Sequence, residues 1–300
     1  MNQNPKTCTH CGADRQFVIN TYKHRWLVCG QCGIAISRHK EHHLFSWVPY
    51  RRLKKNRDLL DDPGSIYDYF VSEYHIQYSI DSFKDFRQEV IDRHNIDITG
   101  KRVLDISGGN GHFADEMRKA GAHVVMTEIN EKAIRYAKEK LGIETVGFDF
   151  ACDRLSNLFH EKFDIVLFRA ATMFCTDLDR LAADVKSVLT PGGLSIHTQC
   201  VVPTLGVFLR TQCDDYNYKI LYQPQHIIGP HEKNGFRLSG RHDETDPTMY
   251  VYDHDLNPVL RTLHYLYEFP AVGAIPRDAT FPFRARDRRR SDLVFRLPEP

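Results

Sequence analysis

The stretch LDISGGNGHFADEM, residues 104–117, sets an apolar run against a helical one with glycines at 108, 109 and 111 between them. Gly109-x-Gly111-x-x-Ala114 has the spacing of a dinucleotide-binding turn, in which a helix N-terminus meets a pyrophosphate. Asp105, four residues before the first of those two glycines, makes the opposite demand. A carboxylate there repels a pyrophosphate and attracts a ligand that carries positive groups. Whether this loop holds an anion or a cation therefore decides the chemistry.

Outward from the loop, short apolar strands at 102–107, 122–128, 143–148, 163–169 and 193–200 alternate with helices that begin near Gly111, Asn130, Asp153 and Asp177. Upstream, Phe83, Phe86, Val90 and Ile91 recur at three- and four-residue steps, which predicts helix between 65 and about 98, ended by Gly100. Such alternation predicts an α/β domain: a mostly parallel sheet covered on both faces, with right-handed crossovers. Ligands then bind beyond the carboxyl ends of the strands. Three acids fall at successive strand ends: Asp105, Glu128 and Asp149. Glu128 is placed to accept both hydroxyls of a ribose. Asp149, in GFDF, is placed to accept from an adenine amino group while Phe148 or Phe150 packs on the ring. An ordered set of three acids suits S-adenosylmethionine, with its sulfonium and ammonium, better than it suits NAD. An NAD-dependent oxidoreductase is the alternative that the glycine pattern alone would allow.

The segments VLDISGGNGHF, VVMTEIN, GFDF, FDIVLFRAATMF and LTPGGLSIHTQ resemble the successive motifs of class I S-adenosylmethionine-dependent methyltransferases, over roughly residues 65–245. The resemblance implies a Rossmann-like seven-stranded sheet whose last strand is antiparallel, with DLVFRL (292–297) as its candidate. It also implies that Asp105, Ser107, Gly109 and Gly111 line the methionine side of the cofactor, that Glu128 holds the ribose, and that Asp149 with Phe150 holds the adenine. Arg169 and Ala170 follow the fourth strand, where this family brings cofactor and acceptor together. Ser107 departs from the pattern, since a glycine usually stands there.

The N-terminus carries a second chemistry. Cys8-Thr-His-Cys11-Gly and Cys29-Gly-Gln-Cys32-Gly are two CxxCG knuckles with 17 residues between them. Each turn presents two thiolates to one ion, and two turns complete a tetrahedral four-sulfur site suited to zinc. The intervening QFVINTYKHRWLV is rich in β-branched and aromatic residues, as a hairpin would be. Four protein ligands leave no position for substrate, so the expected role is structural, in a small zinc ribbon. A pair of redox dithiols is the alternative, and His10 and His24 read as surface histidines. The domain division expected is a zinc-ribbon module over 1–45, a basic linker over 46–64, and the methyltransferase domain over 65–300 with an aromatic-rich extension at about 245–290.

The totals narrow the partners. A net charge of +1 in 300 residues gives no global attraction to nucleic acid or membrane. No apolar run approaches the roughly 18 residues of a membrane span, and MNQNPKTCTHCG has no apolar export core, so a cytoplasmic protein with reduced or metal-bound cysteines is expected. The expected acceptor is a small polar metabolite such as a nucleotide-linked sugar. YQPQHIIGPHEKNGFRLSG (222–240) resembles the stretch that carries the acceptor-side base in zinc-bearing sugar methyltransferases; His226 is the matching residue, although Gln225 stands where a Glu is usual. A base near neutral pKa is what deprotonating a hydroxyl or carbon acid needs. Arg169 and Tyr78 are candidate orienting groups, with Tyr74 and His75 on the same helix. An RNA base is the alternative acceptor, through the ribbon and the basic runs at 51–57 and 284–290. Cys175 and Cys200 read as buried thiols, and a homodimer contact is one role open to the extension.

Overall fold

β-Branched and aromatic residues make strands of QFVIN and HRWLVC, and the second cysteine knuckle turns the chain back into a third. The computed structural model describes residues 7–8, 10–14, 16–20, 24–39, 71–150, 152–201, 220–244 and 290–299. Two units divide the chain: one formed by Met1–Pro49, Cys200–Ile227 and Asp243–Ser291, the other by Tyr50–Gln199, Ile228–His242 and Asp292–Pro300. In the first, β1 (Gln16–Asn20), β2 (His24–Cys29) and β3 (Ala35–His39) form an antiparallel meander. The short β9 (Ile220–Leu221) adds antiparallel to β3, pairing Leu221 with Ala35. Trp26, Val28, Ala35 and Leu221 are buried in its core. The hairpin expected between the two cysteine pairs is β1–β2.

The second unit is a seven-stranded sheet. Its strands are β4 (Arg102–Ile106), β5 (His123–Glu128), β6 (Glu144–Gly147), β7 (Phe163–Arg169), β8 (Leu189–Val201), β10 (Arg237–Glu244) and β11 (Arg290–Arg296). Their order is β10-β11-β8-β7-β4-β5-β6. β4 runs parallel to β5 and β7, β5 to β6, and β7 to β8. The end of β11 meets the start of β8, since Gly192 N donates to Leu297 O and Leu297 N donates to Gly193 O. That pairing is antiparallel, as expected for DLVFRL. Strand β8 opens at Leu189, earlier than expected, because the PGG turn is itself drawn into the pairing: a Cβ on Gly193 would lie 2.8 Å from Thr190 O and 3.0 Å from Asp164 O.

The helices are α1 (Glu73–Phe86), α2 (His112–Lys119), α3 (Glu131–Tyr136), α4 (Leu155–Leu158), α5 (Leu178–Val188) and α6 (Pro224–Lys233). Polar caps start several of them: Ser72 accepts from His75 N, Asn130 from Lys132 N and Ala133 N, and Asp177 from Arg180 N. Helix α1 passes into a π-helical turn over Arg87–Asp92. Phe83 and Phe86 meet Phe113 of α2 edge-on, with centroids 5.7 and 5.4 Å away. These rings, with Val90, Ile91, Val103 and Met126, form the core on one face of the sheet. This is the Rossmann-like class I methyltransferase fold. The stretches 46–64 and 245–289, with the basic run at 51–57 and all but Arg290 of the run at 284–290, lie outside the described residues. No helix among the described residues is long and apolar enough to cross a membrane.

Candidate functional site

Parallel strands all deliver their carboxyl ends to one edge, and the polar residues collect there. Register places Asp105 of β4 opposite Met126 of β5 and Leu167 of β7, Glu128 opposite Gly147, and Arg169 opposite Thr198. Asp149 follows β6 by two residues. Asp105, Glu128 and Asp149 are all buried, at 1%, 6% and 0% exposure.

The loop after β4 is built backbone-first. Ser107 sits at φ 61°, Gly109 at 62° and Gly111 at 82°. Ser107 thus adopts the left-handed conformation that the family's usual glycine would take without strain. Ser107 N donates to Thr127 Oγ1 at 3.3 Å and Gly108 N to Thr127 O at 3.0 Å. Gly108, which spacing did not single out, is the tightest position. A Cβ on it would lie 2.3 Å from Met126 Cγ and Sδ and 2.8 Å from Asp105 Oδ2. Gly111 caps α2 and faces Ala137, where a Cβ would come within 3.0 Å.

Glu128 does two jobs. Its Oε2 accepts from Gly109 N at 3.0 Å, and its Oε1 accepts from Ile129 N at 2.7 Å and Asn130 N at 3.0 Å. Burial raises its pKa and these three amides oppose the rise. Asp105 has no such help: neither carboxyl oxygen has a hydrogen-bond partner among the described residues. Burial pushes its pKa up to about 7, with Arg169 opposing and Glu128 adding to the rise. A buried carboxylate left unpaired costs stability, and a positive ligand group is what would satisfy it.

Around the acids stand aromatic rings. Phe148 and Phe150 meet edge-on at 5.1 Å, and Phe150 faces Phe168 at 6.4 Å. Phe113 lies beneath Arg169, whose Cζ is 4.5 Å from the ring centroid. On α1, His75 stacks on Tyr78 at 5.7 Å, and burial followed by the Arg169 charge lowers its pKa to about 4. Tyr78 itself is exposed. Cys175 is buried, its thiol donating to Asp177 O.

A buried cluster behind the edge escaped the sequence reading. Thr172 Oγ1 lies 2.8 Å from His197 Nδ1, and His197 Nε2 lies 3.1 Å from His231 Nε2. Ser195 Oγ is 3.2 Å from the first Nε2 and 3.4 Å from the second. His197 stacks on Phe168 and His231 on Phe295, at 4.5 and 4.1 Å. One imidazole must donate to the other, and burial holds the His197 pKa well below its ordinary value. The available signal was the alternation of Ser195 and His197 with Leu194 and Ile196 in LSIH.

In the other unit the four cysteines converge. Cys8, Cys11, Cys29 and Cys32 place their sulfurs within 4.8 Å of one another, with Cys8–Cys32 at 3.8 Å and Cys11–Cys29 at 3.6 Å. A tetrahedron with metal–sulfur bonds of about 2.3 Å has edges of about 3.8 Å, so the four fit a zinc ion. The two knuckles repeat one geometry: Gly12 and Gly33 have φ 76° and 74°, and their amides donate to Cys8 O and Cys29 O. His226 belongs to this unit. Its ring meets His10 at 4.4 Å, its Nδ1 accepts from Gln223 N at 3.1 Å, and burial chiefly lowers its pKa to about 4.

Comparison with known proteins bears on the α/β unit. A family model described as a methyltransferase domain matches residues 104–197. The ubiquinone/menaquinone biosynthesis C-methyltransferase of Acidiphilium cryptum is 36% identical over 98 residues, 31% of this chain and 39% of that protein. The ubiquinone biosynthesis O-methyltransferase of Sinorhizobium fredii is 26% identical over 156 residues, 48% of this chain and 63% of its own length. The chain thus spans less than two thirds of either relative. Among solved structures, a chain from the complex between the Haloferax volcanii Trm112 methyltransferase activator and a methyltransferase superposes with a TM-score of 0.50 at 12% identity. It covers 78% of this chain and 98% of that one, a likeness of fold.

Proposed function

We propose that the α/β unit binds S-adenosylmethionine and that the protein transfers its methyl group to a small polar acceptor. The observation that carries this reading is Asp105: a fully buried carboxylate with neither oxygen hydrogen-bonded among the described residues, at the lip of a glycine loop on an inner strand of the sheet. The bound cofactor would supply an electrophilic methyl on a positive sulfur. Asp105 would take its ammonium group, and the backbone of Ser107–Gly111 would line the methionine side. Glu128, already oriented by three amides, would accept from the ribose hydroxyls. Asp149 would accept from the adenine amino group, with Phe150 packing on the ring.

The matched methyltransferase-domain stretch, residues 104–197, includes Asp105, Glu128, Asp149 and Arg169. One relative is named for C- and the other for O-methylation, so their names leave the methylated atom open. Their names lie in ubiquinone and menaquinone biosynthesis, and they lend no support to a nucleotide-linked sugar. The acceptor proposed is a small organic molecule with an oxygen or carbon nucleophile. The four cysteines would hold one structural zinc.

Glu128→Gln tests the cofactor assignment, because it keeps the shape of the side chain and removes the charge. Calorimetric titration with S-adenosylhomocysteine should show binding weakened by roughly 1.5–3 kcal/mol, the worth of hydrogen bonds to a charged acceptor. Affinity equal to wild type would remove Glu128 from the site.

A further inference from the structure

Arg169 is the only cation that the described residues bring to the strand edge beside Asp105, and it is half-buried. Its guanidinium rests on the Phe113 ring, and its buried Nε has no hydrogen-bond partner among the described residues. Asp105 and Arg169 attract each other, yet neither Asp105 oxygen is hydrogen-bonded to the guanidinium. The nearby His75 is kept neutral and brings no negative charge. Two opposite charges therefore face one site without neutralising each other. A planar fork of donors stacked on an aromatic ring is preorganised for carboxylate or phosphate.

We propose that Arg169 is an anion receptor that takes a carboxylate or phosphate group of a bound ligand, opposite the cation taken by Asp105. The proposal rests on the cofactor reading above. Two sources offer that chemistry: the α-carboxylate of the cofactor, whose ammonium would go to Asp105, and an acidic group on the methyl acceptor. In either case the receptor acts through charge and geometry, so lysine replaces arginine only in part. An anion there also offsets the guanidinium charge that would otherwise oppose a positively charged cofactor.

The test uses the full-length protein and calorimetry on wild type, Arg169→Gln and Arg169→Lys, each first shown by thermal melting to be folded. The probes are S-adenosylhomocysteine, 5′-methylthioadenosine, which lacks the amino-acid head, and inorganic phosphate and benzoate added to protein loaded with S-adenosylhomocysteine. If the cofactor carboxylate is the anion, Arg169→Gln weakens S-adenosylhomocysteine about tenfold or more and leaves methylthioadenosine unchanged. If the acceptor supplies it, S-adenosylhomocysteine binding is unchanged, and phosphate or benzoate binds the loaded wild type but not the Gln variant. Arg169→Lys should fall between in whichever arm responds. Affinities of the Gln variant that match wild type for all four probes overturn the proposal. Failure of wild type to bind either nucleoside sinks the cofactor reading itself, and phosphate and benzoate titrated into unloaded wild type and Arg169→Gln then report on Arg169, with equal affinities overturning the proposal.

Discussion

Asp105 is costly to the empty protein. Its folded pKa of about 7 lies above the unfolded value of 3.8, so the folded state binds the extra proton between those limits, and stability falls as pH rises through 7. Asp105→Asn should therefore raise the melting temperature of the ligand-free protein above pH 7 while removing S-adenosylhomocysteine binding. A variant that is less stable and still binds would contradict this. The same proton links to the ligand. A protonated Asp105 has to ionise before it can hold an ammonium group, so affinity should drop by up to about tenfold per pH unit below 7 and level off above it. Titrations at pH 6 and pH 8 measure the difference directly. Next to it, Gly108→Ala would drive a methyl group into Met126 and Asp105, and should abolish binding even where the protein still folds. Asp105, Glu128 and Asp149 were legible because each is an acid at the end of an apolar run. Gly108 was not, since its role is set by Met126 on the neighbouring strand, which local spacing does not reveal.

At the level of elements, strand positions and helix starts followed the apolar periodicity closely, and the antiparallel partner of β8 was readable as DLVFRL. The buried Thr172–His197–His231 cluster was not readable, because its members come from three segments and meet only after β8 pairs with β7. It makes an acid-labile core. The His197 pKa lies well below its unfolded value of 6.5, so the unfolded state binds more protons below pH 6.5 and stability falls as pH drops. The expected slope is about 1.4 kcal/mol per pH unit for one such group. Between about pH 4 and 6.5 Asp105 acts in the opposite direction and masks part of that loss. Urea unfolding across this range should show a shallow pH dependence in wild type and a steeper acid loss in Asp105→Asn. Parallel curves for the two proteins would mean that Asp105 titrates as it does in the unfolded chain.

For the molecule as a whole, the two units carry separate sheets. The cysteine spacing made the convergence of the four thiols legible, but the strand β9 that joins the sheet beside them comes from residues 220–221, far along the chain. Metal analysis of gently purified protein should find one zinc per chain, and Cys29→Ser should lose it and unfold the ribbon while leaving S-adenosylhomocysteine binding in place. Loss of both together would tie the ribbon to the cofactor site. The most direct test of the central claim is calorimetry of wild type at pH 8 with S-adenosylhomocysteine and, separately, with NADH. The account predicts micromolar or tighter binding of the first, on the order of −8 kcal/mol, and no binding of the second. Binding of NADH without S-adenosylhomocysteine would show that the glycine loop holds an anion, and would contradict it.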